Sequence, residues 1–70
     1  MKPRRPEYNW RCHLFYRTAM GEKEVVFDNV IAADEDLALR VAERMMRNMP
    51  QRAHCEIVYA EAVASLEPVR

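Results

Sequence analysis

Two cysteines and two histidines stand in mirrored neighbouring pairs, Cys12-His13 and His54-Cys55, offering the sulfur and imidazole donors of a tetrahedral zinc site. Their placement argues against that chemistry. Both pairs fall in segments with the two-residue alternation of strands, where neighbours point to opposite faces, so the thiols go to one side and the imidazoles to the other. Pairing Tyr16 with Cys55 across an antiparallel ladder sets Cys12 opposite Tyr59, about 13 Å from Cys55 and too far for a disulfide. Two buried core thiols are therefore expected. Nucleophilic catalysis fares no better, because both cysteines point away from His13 and His54, and the only serine, Ser65, lies in the tail. One glycine in the chain excludes a glycine-rich phosphate loop. The acidic run Asp34-Glu35-Asp36 is explained by helix capping and does not converge on an ion. No metal, cofactor or catalytic residue is implied, and the expectation is a non-enzymatic protein.

Two surfaces remain that could bind something. The first is the odd-numbered face of the first strand, Arg11, His13, Phe15 and Arg17, a basic and aromatic row of the kind single-strand binders use. Pairing Tyr16 with Val25 sets Glu24 beside Arg17, Val26 beside Phe15 and Asp28 beside His13, with Glu56 and Val58 on the other side. The positive row is then neutralised, leaving Phe15, Val26 and Val58 as an apolar strip with a mixed-charge rim, the anatomy of a protein interface. The second surface is a helix shoulder, Leu39 and Met46, beside Arg40, Arg44 and Arg47, where exposed apolar side chains next to arginine suit a protein contact. Scattered surface apolars and a solvated helix face would account for the same residues.

The element that must position these residues is the run Asp34 to Met49, whose apolar spacing is helical. Leu37, Ala38, Val41, Ala42, Met45 and Met49 fill one face of the wheel, with Asp36, Arg40, Glu43, Arg44, Arg47 and Asn48 on the other. Asp34 is the expected N-cap, and Pro50 ends the helix. Tyr8 to Thr18 alternates as a strand with Tyr8, Trp10, Cys12, Leu14 and Tyr16 inward. Ala19-Met20-Gly21-Glu22 is a hairpin turn with Gly21 supplying positive φ. A second strand runs from Lys23 to Ala33, and a bulge at Asp28-Asn29 lets Val25, Phe27, Val30 and Ala32 all face inward. His54 to about Val63 forms the third. The class is α+β in the order β-β-α-β. The helix crossover makes strands two and three parallel, and strand one fills the gap between them, giving sheet order 2-1-3 with the helix on one face. Trp10, Leu14, Phe27, Val41, Met45 and Ile57 are the expected core.

Seventy residues, half of them hydrophobic, make one small domain over 8–66, between a flexible basic arm at 1–7 and a frayed tail at 67–70. The net charge is zero, but Lys2, Arg4 and Arg5 sit in the first five positions, so the rest is net acidic and unlike a generic polyanion binder. No secretory leader or membrane span is apparent, which points to a cytoplasmic protein. In size, in β-β-α-β order, in lacking a catalytic motif and in keeping a basic arm beside a mixed interface face, the chain resembles the small proteins that phages and mobile elements carry to inhibit host machinery, the anti-CRISPR class among them. That resemblance implies binding and blocking a larger protein or complex. The leading expectation is thus a protein-binding module, with self-association into a homodimer as a further source of stability. Nucleic-acid binding through the arm and the Arg11, Phe15 and Arg17 face is the alternative.

Overall fold

A computed structural model describes residues 5–69; the expected arm lies partly outside the described residues, at Met1–Arg4. Strand β1 spans Tyr8–Thr18, β2 Gly21–Ala32 and β3 Glu56–Ala64, and helix α1 spans Glu35–Arg47 between the last two. The sheet is antiparallel in the order β2-β1-β3, so β1 is central and both outer strands leave an edge unpaired within the fold.

The hairpin is tighter than the sequence suggested. Thr18 pairs with Gly21, leaving Ala19 and Met20 as a two-residue loop, and Gly21 takes φ +112. The Thr18 hydroxyl donates to the Gly21 carbonyl at 2.8 Å and accepts from the Met20 amide at 3.1 Å. This turn sets Leu14, not Tyr16, opposite Val25, a slide of two residues that preserves which side chains face the core. The bulge falls where alternation required it. Trp10 pairs with Val30 and Cys12 with Phe27, so Arg11 faces both Asp28 and Asn29, and Asn29 adopts φ 61, a left-handed conformation that asparagine tolerates.

A second irregularity, which the alternation did not announce, lies on the other side of β1. Phe15 pairs with Tyr59 but Tyr16 with Ile57, leaving Val58 as the extra residue. From there to the end of β3 the parity is reversed, so Tyr59 faces outward and Ala60 and Ala62 face the helix. Cys12 pairs with Ala62, and Cys55 precedes the strand, roughly 20 Å away along the ladder. Both thiols are free, and burial pushes that of Cys12 up.

Helix α1 begins where Asp34 caps it, its carboxylate accepting from the Leu37 amide at 2.9 Å and from the Arg5 guanidinium at 2.8 Å. It ends on Asn48, since Pro50 bars Met49 from helical geometry. The covered line is Ala38, Ala42 and Met46, all fully buried against Cys12, Leu14, Tyr16, Val30 and Ala32. Ala38 and Ala42 lie inward as expected, but the buried face is turned from the expected one toward Met46, by roughly 60° on a helix wheel of 3.6 residues per turn. Val41 and Met45, expected in the core, are 37% and 39% exposed, while Met46, expected on an exposed shoulder, is fully buried. The reason is volume. Leu14 and Tyr16 rise from the sheet beneath Ala38 and Ala42, Met46 is the one long side chain the helix buries, and the helix sits close enough for the Cys12 thiol to lie 3.7 Å from the Ala38 carbonyl. Trp10, Phe27, Ile57 and Leu39 are half-buried around this centre, and the Trp10 indole donates to the Ala32 carbonyl at 2.8 Å.

The two ends of the described chain meet beside β1. The Ser65 amide donates to the Asn9 carbonyl at 2.8 Å and the Val69 amide to that of Glu7 at 2.7 Å.

The Asp34 cap makes stability sensitive to acid. The Leu37 amide first, then Arg5, hold its carboxyl below the usual range. The contribution is complete above the unfolded-state value and is lost as pH falls through the depressed folded value. We expect Asp34→Asn, which still caps, to flatten that part of the acid limb in urea titrations at stepped pH; an unchanged acid limb would show that the cap carboxylate does not contribute.

Candidate functional site

The face of the sheet away from α1 is covered by no described element. Its central row is Arg11, His13, Phe15 and Arg17, with Glu22, Glu24, Val26 and Asp28 on one side and Glu56, Tyr59, Glu61 and Val63 on the other. Because β1 donates the cations and its neighbours the carboxylates, charges meet across strands. Arg11 reaches Asp28 at 2.6 Å, His13 reaches Glu24 at 3.0 Å, and Arg17 reaches Glu56 at 3.4 Å. Neither arginine presents an unneutralised charge.

Between these pairs lies an apolar centre. The rings of Phe15 and Tyr59 approach to 5.7 Å between centroids at a 42° tilt, a favourable aromatic geometry. Val26, Tyr59 and Val63 are 41%, 57% and 61% exposed. The Tyr59 hydroxyl donates to the Glu61 carboxylate at 3.2 Å, and that acceptor holds the phenol's pKa above its ordinary value. Toward the bulge the face opens into a hollow of about 630 Å³ bordered by Asn9, Arg11, Asp28, Asn29 and Val63, where the Asn9 side chain donates to that of Asn29 at 3.0 Å.

No family model matches this chain, and no curated protein or solved structure is significantly similar to it.

Of the strip anticipated from the sequence, Phe15 and Val26 share this face, whereas Val58 is withdrawn into the β3 bulge and half-buried. The rim is re-paired: Val26 stands opposite His13, not Phe15, and Arg17 faces Glu22 and Glu56. Tyr59 and Val63 were missed, since without the bulge Tyr59 points inward. A signal existed, because Glu56 and Glu61 cannot both face solvent from one unbroken strand.

The anticipated helix shoulder is not the continuous apolar and arginine surface expected. Met46 is fully buried, Leu39 packs against the core, and Arg47 turns inward to donate to the carbonyls of Ala53 at 3.2 Å and Cys55 at 2.6 Å. Only Arg40 and Arg44 stay on the outer face. The helix exposes a different ridge, Leu37, Val41 and Met45, four residues apart.

The cysteine and histidine side chains considered for nucleophilic chemistry do not share a site. His13 is on the open face, Cys12 is beneath the helix, and His54 is in the exposed loop before β3. Among the described residues no three of His, Cys, Asp and Glu gather as metal ligands, and no helix is long and apolar enough to cross a membrane.

Proposed function

We infer that the chain is a non-enzymatic, cytoplasmic protein-binding module that acts by occupying the surface of a larger protein, as small inhibitors do. The observation that carries this reading is the uncovered sheet face, with Phe15, Tyr59, Val26 and Val63 at its centre and ion pairs at its margin. Aromatic anchors inside a polar rim are where binding energy concentrates. The two free thiols agree with a reducing compartment.

The nucleic-acid reading is weaker on the same geometry. Arg11 and Arg17 are each held by a carboxylate, and Glu22 and Glu61 add further negative charge to the face, which would repel a phosphate backbone.

The test is affinity capture from the native host with the wild-type chain and with Tyr59→Glu. The exposed Tyr59 site should tolerate the change, leaving the thermal midpoint within a few degrees. Loss of a specific captured protein, by about 2 kcal/mol or more in a subsequent titration, is the expected result. The reading fails if Tyr59→Glu captures the same protein undiminished. It also fails if the chain binds nucleic acid at about 150 mM salt and loses it on replacing Arg11 and Arg17, because phosphate contacts and not the apolar centre would then carry the affinity.

A further inference from the structure

The other side of the sheet holds a second, differently built surface along the free edge of β2. Leu39, Glu43 and Arg47 border a cavity with Ile57 and Ala60 of β3, so one flank of α1 leans toward β3. The opposite flank, which by the same geometry is the β2 side of the helix, carries Leu37, Val41 and Met45, 40%, 37% and 39% exposed. Beneath it, the helix-facing row of β2 is Lys23, Val25 and Phe27, with the two apolar residues only half-buried. The row of β2 on the open face is Glu22, Glu24, Val26 and Asp28. Between the rows runs a backbone edge that no described strand pairs, from Glu22 to Phe27, up to the bulge at Asp28 and Asn29.

A guest strand hydrogen-bonded to that edge would place alternate side chains on the two faces. Those on the helix side would meet Val25, Phe27 and the helix ridge, so they should be apolar. Those on the open side would lie beside the carboxylate row, where Arg11 holds Asp28 and His13 meets Glu24 but Glu22 has no ion-pair partner among the described residues, so they should be basic. A second copy of β2 does not satisfy this pattern. Antiparallel self-pairing centred on Val25 opposes Glu22 to Asp28, and centred on Val26 it opposes Glu24 to Asp28, like charges directly across a ladder.

We propose that the β2 edge is a docking site for an extended peptide segment with alternating apolar and basic residues, which adds as a fourth strand and completes the cover over Leu37, Val41 and Met45. This surface is independent of the one around Tyr59. Charge sets its specificity, and the helix ridge makes the contact more than an exposed edge.

Isothermal titration with a ten-residue alternating Val–Lys peptide, and with its Val–Glu counterpart, tests the proposal on the full chain. The Val–Lys peptide should bind at least about tenfold more tightly, and should slow amide hydrogen exchange at 22–27. Glu22→Lys with Glu24→Lys should weaken it by about tenfold or more, as should Val41→Asp, while Tyr59→Glu leaves it unchanged. Circular dichroism on each variant separates a lost site from a lost fold, and Glu22→Gln is the milder substitute if the double reversal unfolds. Absence of Val–Lys binding, equal affinity for the two peptides, or protection confined to β3 would overturn the proposal, as would sedimentation showing a dimer formed through β2.

Discussion

Met46→Ala should lower the unfolding free energy by about 2–5 kcal/mol, the usual cost of truncating a fully buried methionine or leucine. Met45→Ala, one position earlier, should cost under about 1 kcal/mol because its side chain is already 39% exposed. Small domains hold only about 5–15 kcal/mol in all, so the first change should move the urea midpoint visibly and the second barely. The pair reads the rotation of α1 directly. Equal losses would place the Leu37, Val41 and Met45 line inward, and would remove the ridge on which strand addition at β2 depends.

Arg47→Ala should cost about 2–3 kcal/mol: its guanidinium bridges the carbonyls of Ala53 and Cys55, and charged hydrogen bonds are worth about 1.5–3 kcal/mol each, but the side chain is 37% exposed and water takes up part of the loss. Those carbonyls belong to the segment that carries the chain from α1 into β3. Arg52 holds the same segment from the other side, its Nε donating to the Tyr16 hydroxyl at 2.9 Å with the guanidinium 5.7 Å from that ring. Removing Arg47 should therefore speed amide exchange across 49–55 as well as lower the midpoint. Arg47→Lys should restore part of the loss, because both bonds leave a single guanidinium nitrogen, Nη1, and a lysine ammonium carries enough protons to make both. A variant that keeps its midpoint but loses a captured partner would instead return Arg47 to the interface.

What the sequence disclosed and what it hid divide along physical lines. The alternation of β1, the single glycine at the turn, the Asp34 cap and the apolar period of α1 are local signals, and they carried the element order, the strand order and the bulge at Asp28 and Asn29. The facing of α1 is not local. Leu37, Val41 and Met45 are the more hydrophobic line, but the space above Cys12, Leu14 and Tyr16 admits only Ala38 and Ala42 beside Met46, a matter of shape that hydropathy does not weigh. The candidate face was half legible for a related reason. Phe15 and Val26 follow from parity, whereas Tyr59 and Val63 depend on a one-residue insertion at Val58 that reverses parity midway.

The backbone bonds that hold Glu7 to Val69 and Asn9 to Ser65 also make this topology nearly cyclic. A domain whose first and last described segments meet can be entered and left at one place, so it suits insertion into a loop of a host protein without stretching either. The same closure allows the order of elements to be rewritten. A short linker across the junction, with new ends opened between Ala19 and Met20, would leave each strand beside its present neighbours while turning β-β-α-β into β-α-β-β.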